Sequence, residues 1–390
     1  MASAEDQGIA YKALSAGDPA PRFHQRSPSN ENYVFDAAAG RYLVLCFYMS
    51  GALPAAQEAL RHVEVNRALF DDENIALFGV TVDPADEAQK RVANNLPGIR
   101  HFWDFDHRIS RLYGALPANP EGPNATRARL LWVVIDPTLR ILRIEPLGPE
   151  GNARLFDYLK SLPPPHRFAG MELQAPILVL PHVFEPEFCR QLIGLYDAGG
   201  GEESGFMRDV GGKTVGISDA GHKRRRDYVI EDPAVMRETQ TRIYRRIRPE
   251  IARIYSFEAT RMERYIVGCY TAEDGGHFRA HRDNTTRGTA HRRFAVSINL
   301  NQEFEGGEVS FPEYSPRGFK PPVGGAVIFP CALLHAVSRV TSGRRYAFLP
   351  FLYDDAAAKI REANSQYLEN GTYKADQEAE ARAVSFSQIA

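Results

Sequence analysis

GHFRAHRDN at positions 276–284 and LLHAVSRVTSGRRY at 333–346 decide how this chain is read. Between them lie SINLN (297–301), FEGGEVSFPEY (304–314) and PPVGGAVIFP (321–330). His281 and Asp283 form an H-x-D pair, and His335 follows more than fifty residues later. In an extended strand, residues i and i+2 point to the same face. His281 and Asp283 can therefore grip one metal from one strand, with His335 arriving from a neighbour. Two imidazoles and one carboxylate are the ligand set of the facial triad, which leaves coordination positions open on Fe(II). Arg345 lies ten residues after His335, past a turn at Gly343. Its fork of fixed donors suits a carboxylate in bidentate geometry. Arg344 is the alternative clamp, since adjacent strand residues face opposite ways and only one of the two can point inward. An open metal site beside a carboxylate clamp points to an acid co-substrate that chelates the metal.

These residues, with the Gly306-Gly307 pair and the approach from Pro322 to Phe329, resemble the prolyl-4-hydroxylase-like branch of the 2-oxoglutarate, Fe(II)-dependent dioxygenases. The resemblance covers roughly residues 178–353. It implies that His281, Asp283 and His335 bind Fe(II), and that Arg345 binds the far carboxylate of 2-oxoglutarate. It also implies that Tyr270 hydrogen-bonds this co-substrate, although two extra residues separate it from the H-x-D pair. Asn299 is a further candidate contact to the co-substrate or substrate. The implied reaction is oxidative decarboxylation of 2-oxoglutarate by O2 to succinate and CO2, coupled to hydroxylation of carbon, with ascorbate as a stimulant. Peptidyl or prolyl targets, free amino acids and small metabolites are the candidate substrates. The many short strands over 261–353, broken by turn signals, predict a double-stranded β-helix (jelly roll) with its ligand site at the mouth.

Residues 1–162 read differently. YLVLCFY (42–48) is a buried strand, 54–70 a helix with Pro near its start, IALFGVTV (75–82) a second strand and 86–94 a short helix. LLWVVI (130–135) and LRILRI (139–144) flank Asp136-Pro137-Thr138 as a hairpin, and 152–162 closes as a helix. This order fits a thioredoxin-like α/β layer fold. GDPAPRF (17–23), the Phe47-Tyr48 strand end, VTVD (80–83) and VVIDP (133–137) resemble the peroxiredoxin family. That family sets a Cys at the helix start, where the helix N-terminus favours a thiolate. Here MSGALPAAQ (49–57) has no thiol, and Ala56 stands where the Cys is expected. The unit is expected to be inactive as a peroxidase, serving to dock a partner, to pair two chains as a homodimer, or to cover the second domain.

The run LPPPH (162–166) opens a proline-rich linker over 163–176. Residues 177–355 then form the dioxygenase-like domain, and 356–390 a polar helical tail. Residues 202–220 are polar and glycine-rich and predict a mobile loop; Gly211-Gly212-Lys213-Thr214 lacks the spacing of a phosphate loop. The basic run His222–Arg226 is balanced by Asp227, Glu231 and Asp232 and carries no interleaved aromatics, so no nucleic-acid partner is expected. Arg224 and Arg226, with His277, are the candidate substrate contacts. Residues 234–257 predict one long helix, kinked at Pro249. His291, in the polar loop 284–292, is expected to face solvent.

Composition agrees with a globular chain. Of 390 residues, 44% are hydrophobic and 25% charged, with net charge −2, so no global field draws it to nucleic acid or membrane. No run of eighteen apolar residues predicts a membrane span. The start, MASAEDQGIAYKAL, lacks a charged region followed by an apolar one, so no signal peptide is expected. The four cysteines are scattered among apolar neighbours, which fits a reducing cytoplasm. Two further readings stand beside the enzyme: a non-catalytic module that senses oxygen and 2-oxoglutarate through the thioredoxin-like domain, and a thiol peroxidase using Cys46.

Overall fold

The computed structural model describes residues 10–119, 121 and 124–368. It divides into two compact units, Met1–Gln174 with Pro312–Ser315, and Ala175–Phe311 with Pro316–Ala390.

The first unit runs β1 (His24–Ser27), β2 (Asn30–Val34), β3 (Tyr42–Met49), α1 (Pro54–Val65), β4 (Ile75–Thr81), α2 (Pro84–Ala88), β5 (Ile99–Trp103), α3 (Arg108–Leu112), β6 (Leu131–Ile135), β7 (Ile141–Pro146) and α4 (Pro149–Ser161). Its sheet has the order β5-β4-β3-β6-β7. β3, β4 and β5 are parallel, and β6 and β7 are antiparallel additions. Every residue of β3 and β4 is buried, as expected for central strands covered on both faces. Ala56, Ala59 and Val63 of α1 and Leu155, Phe156 and Leu159 of α4 pack with Tyr42, Val44, Cys46 and Trp132 of the sheet. This is a thioredoxin-like fold. α2 is shorter than the helix expected over 86–94. The Asp86 carboxylate turns inward to accept from the Thr81 hydroxyl and the Gly51 amide, and Lys90 takes a left-handed φ of 52°.

The second unit runs β8 (Leu178–Leu180), α5 (Pro186–Gly199), β9 (Glu202–Glu203), β10 (Phe206–Val210), β11 (Lys213–Ile217), β12 (Lys223–Arg224), β13 (Arg226–Val229), α6 (Pro233–Arg246), α7 (Arg248–Tyr255), β14 (Arg261–Glu263), β15 (Ile266–Thr271), β16 (His277–His281), β17 (Phe294–Asn299), β18 (Phe304–Glu305), β19 (Val309–Phe311), β20 (Ser315–Phe319), β21 (Ala326–Pro330), β22 (His335–Val337), β23 (Ser342–Phe348), β24 (Phe351–Tyr353) and α8 (Asp355–Asn364). One sheet has the order β12-β16-β22-β19-β20. The other runs β14-β24-β17-β23-β15-β13-β9, with β21 paired to β17 and β8 to β21. The two antiparallel sheets make the jelly roll. Ile243, Ile247 and Ile251 from the α6–α7 segment, with Phe188 and Leu192 of α5, pack with Val267, Val296, Ile298 and Phe348 of the larger sheet.

Three expectations are corrected here. Residues 202–220 are not a mobile loop: β10 and β11 form a hairpin closed by Gly211 and Gly212, both at positive φ (58° and 80°). Two left-handed residues in a two-residue loop match the twist of the flanking strands, and glycine takes that conformation without penalty. The hairpin is tied down as well, since the Gly288 amide donates to the Thr214 hydroxyl and the Arg287 amide to Asp209. The long helix is two helices, α6 and α7, broken at Ile247, because Pro249 has no N–H to donate to the carbonyl four residues before it. His291 is buried, not solvent-facing. Its Nε2 lies 2.8 Å from a carboxylate oxygen of Glu263, which also accepts from Arg292 and pairs with Arg361 of α8. The tail forms α8 and a short turn to Tyr367; the expected fraying after it lies outside the described residues.

Candidate metal centre

β16 and β22 are antiparallel neighbours, and His281 pairs directly with His335. A bulge lies between Phe278 and His281 on this pair. Such an extra residue re-aims the side chains after it, and it sets the His281 ring flat on Phe278, with centroids 3.5 Å apart. Asp283 lies in the turn just after β16 and is fixed by its amide, which donates to the Cys331 carbonyl.

The three side chains meet. His281 Nε2 lies 3.5 Å from Asp283 Oδ1, and His335 Nε2 lies 3.3 Å from Asp283 Oδ2. One ligand atom from each residue falls within 4.8 Å of the others. Each histidine turns its other nitrogen to a backbone carbonyl: His281 Nδ1 to Arg279 at 2.7 Å, and His335 Nδ1 to Leu333 at 3.1 Å. A carbonyl only accepts, so Nδ1 carries the proton and Nε2 keeps its lone pair for the cluster. Burial, aided by the neighbouring His281, lowers His335 to about 4, so its ring is neutral at pH 7. Burial would raise Asp283, but His335 and His281 outweigh it and hold the carboxyl below the usual carboxylate range. A neutral imidazole at His335 and an ionised carboxylate at Asp283 are protonation states that metal ligation requires.

Arg345 and Arg344 part company on β23. Arg344 is exposed, with Glu273 at 3.9 Å. Arg345 is 1% exposed and points inward. Its Nε donates to Asn299 Oδ1 at 3.1 Å and its Nη2 to the Ser297 hydroxyl at 2.7 Å. Its Nη1 is buried with no hydrogen-bond partner, and burial pulls the guanidinium below its ordinary value. Gly307, at a φ of 64°, makes room for it, since a Cβ there would sit 2.9 Å from Arg345 Cδ. Tyr270 pairs with Arg345 across β15 and β23, and the guanidinium carbon lies 5.3 Å from the Tyr270 ring centroid.

The other predicted residues fall elsewhere. Arg224 donates to the carbonyls of Ala220 and Asp274, and Arg226 to that of Gly201; both are exposed. His277 faces two carbonyls, Gly275 at 2.8 Å and Gly221 at 3.4 Å. Two inward residues escaped the sequence reading. Ser297 is one; its polar alternation with Asn299 in the apolar strand FAVSIN was the available signal. Arg225 is the other; its i+2 spacing to Asp227 placed a cation and an anion on one strand face.

Residues 265–353 match the family model of the 2OG-Fe(II) oxygenase superfamily, and residues 16–143 that of the AhpC/TSA family. A PKHD-type hydroxylase of Thioalkalivibrio sulfidiphilus is 32% identical over 99 residues, covering 23% of this chain and 44% of that protein. A second, from Gluconobacter oxydans, is 38% identical over 84 residues, covering 19% and 37%. The chain thus spans less than half the length of the curated relatives it matches. A prolyl-4-hydroxylase structure from Pseudomonas putida aligns with a TM-score of 0.35 at 15% identity, over 46% of this chain and 93% of that one. This chain carries a 2OG-Fe(II) oxygenase superfamily domain in its second half and a thioredoxin-fold AhpC/TSA family domain in its first.

Proposed function

We propose that this protein is an Fe(II)- and 2-oxoglutarate-dependent dioxygenase that hydroxylates an unactivated carbon, with release of succinate and CO2. The observation that carries this reading is one barrel holding both His281–Asp283–His335 and a buried guanidinium, Arg345, that has no anion beside it. Fe(II) with bound 2-oxoglutarate and O2 supplies the oxidising power, and ascorbate would keep the metal reduced. The protein's part is binding and exclusion. His281 and His335 offer Nε2 lone pairs, and Asp283 offers negative charge without first losing a proton. Arg345 Nη1 offers a donor that lacks an acceptor, which the far carboxylate of 2-oxoglutarate would satisfy. Asn299 and Ser297 hold the guanidinium in place, while Tyr270 adds a hydroxyl beside it.

The substrate falls in the class of peptidyl or prolyl side chains, amino acids or small metabolites; the resemblance of the motif set to the prolyl-4-hydroxylase-like branch tilts the reading to the first. His277, Arg224 and Arg226 are the candidate contacts for it, in a cytoplasmic setting that four free, buried thiols suit. The first unit is proposed to be non-catalytic and to dock a partner or a second copy. Ala56, in the first turn of α1, is fully buried, and burial pushes the Cys46 thiol well above its ordinary value. Neither position supplies a thiolate for peroxide.

The test is succinate release from 2-oxoglutarate by protein loaded with Fe(II) without oxygen, then exposed to O2, with and without cell extract. Succinate that rises with extract, and that vanishes in His281→Ala, is expected. No succinate in any arm, with iron bound, would replace the enzyme with a binding module.

A further inference from the structure

Arg225 lies between β12 and β13, and its neighbours show how the strand sorts them. Arg224 and Arg226 reach outward to backbone carbonyls, whereas the Arg225 side chain is 5% exposed. It grips Asp227 through a full fork, Nε to Oδ1 at 2.6 Å and Nη2 to Oδ2 at 2.7 Å. Arg264 adds a third contact to the same carboxylate at 3.2 Å. A bidentate pair of this kind fixes the guanidinium plane. The remaining arm, Nη1, donates to the Tyr270 hydroxyl oxygen at 3.2 Å.

That bond has a consequence for the Tyr270 proton. A guanidinium carries donors only, so the tyrosine oxygen must accept. The hydroxyl's single proton is left to point away from Arg225. Two guanidiniums lie near the ring of Tyr270, with Arg225 Cζ at 5.6 Å and Arg345 Cζ at 5.3 Å from its centroid. The two cations are not equivalent. Asp227 neutralises Arg225. Arg345 donates to the neutral acceptors of Asn299 and Ser297 and interacts with the neutral Tyr270 hydroxyl, and its Nη1 meets no hydrogen-bond partner within geometric range among the described residues. The site therefore presents one positive charge with no carboxylate paired to it among the described residues, and two donors, Arg345 Nη1 and the Tyr270 O–H. A carboxylate oxygen answers both.

Building on the assignment of the Arg345 site to the distal carboxylate of 2-oxoglutarate, we propose that Arg225, clamped by Asp227, is a positioning residue that keeps Tyr270 a donor toward that carboxylate. The pair thereby selects 2-oxo acids with a second acid group. Arg225 itself touches neither the metal ligands nor the co-substrate. Its effect passes through one hydroxyl.

The test is anaerobic calorimetric titration of the full-length, Fe(II)-loaded protein with two probes. One is 2-oxoglutarate; the other is 2-oxopentanoate, the same chain without the distal carboxylate. Arg225→Lys keeps an ion pair with Asp227 but loses the fixed third donor, and Tyr270→Phe removes only the hydroxyl. Each is expected to weaken 2-oxoglutarate by about tenfold, the worth of one hydrogen bond to a charged group. The double variant should be no weaker than the weaker single one. Binding of 2-oxopentanoate should stay within about twofold throughout. An additive loss in the double variant, or an equal loss for both acids, would mean that Arg225 acts as general scaffold and would overturn the proposal. Should Arg225→Lys not fold, Tyr270→Phe decides: unchanged 2-oxoglutarate affinity overturns it, and a loss confined to 2-oxoglutarate supports it. Failure of the parent assignment looks different, because then Arg345→Met would also bind 2-oxoglutarate as the wild type does.

Discussion

Arg345→Met separates binding from folding. The wild-type guanidinium is almost wholly buried, lacks a counter-ion and keeps one donor unpaired. Burying such a charge costs stability, and apolar replacement of a buried ion often recovers some of it. Without co-substrate, the melting temperature of the variant is expected to hold or rise. With co-substrate the order reverses. Losing one partner of a buried, hydrogen-bonded charge pair costs about 2–5 kcal/mol. At about 1.4 kcal/mol per tenfold, the dissociation constant for 2-oxoglutarate rises roughly 30-fold to several thousand-fold. Thermal shift reads both effects in one experiment. At a ligand concentration of about 100 wild-type Kd, the wild type gains about 2.7 kcal/mol, and Arg345→Met should gain about 0.9 kcal/mol at most. Arg344→Met is the control: its side chain is exposed and loses only surface interactions with Tyr346 and, at 3.9 Å, Glu273, so affinity should change less than about twofold. A variant at position 345 that is destabilised yet still stabilised by 2-oxoglutarate would refute the reasoning, as would a loss confined to position 344.

Two further perturbations test the scaffolds. Burial lowers His101 from 6.5 to about 4, against the weaker opposing pull of Asp86. Above pH 6.5 the ring is neutral in both states. Between 6.5 and 4 the unfolded chain takes up a proton that the folded chain refuses, so stability falls as pH falls, by about 3 kcal/mol in all. His101→Gln should flatten that slope in urea titrations followed by tryptophan fluorescence, because both tryptophans, Trp103 and Trp132, lie in the first unit; an unchanged slope would acquit His101. In the second unit, Glu263→Gln removes the carboxylate shared by His291, Arg292 and Arg361. A loss of about 3–5 kcal/mol is expected from circular dichroism melts, and a loss under about 1 kcal/mol would show that the cluster is not held by charge.

The residues that meet at the candidate centre were legible because strand periodicity is short and exact. H-x-D and Arg344-Arg345 each left few geometries open: β23 realises the second with Arg345 inward, while His281 ends β16 and Asp283 reaches the cluster from the turn just after it. The missed features depended on information the periodicity does not carry. Gly211-Gly212 in a polar stretch reads equally as loose chain or as a tight hairpin turn, and the choice depends on what Asp209 and Thr214 find across the gap. His291 sits among polar residues, yet Glu263, nearly thirty positions earlier, draws it inside. Arg225 was hidden in a run of three arginines, where only its pairing with Asp227 separates it from its exposed neighbours.

The same pairing logic bears on why the barrel carries so many buried charges. Lys223, Arg225 and Arg345 are all nearly closed off from solvent, and charges so placed must be matched or lose their ionised form. Lys223 donates to the Ser204 hydroxyl and the Gly205 carbonyl, both neutral, and burial drives it well below its ordinary value. Arg225 is matched by Asp227, whose carboxyl is held below the usual range: burial would raise it, but Arg225 and then Lys223 overcome that. Arg345 cannot lose its proton readily, and its hydrogen bonds go to Asn299 and Ser297. Of these three, it alone keeps its charge with no carboxylate paired to it among the described residues, and it does so at the position where a diacid would offset that cost.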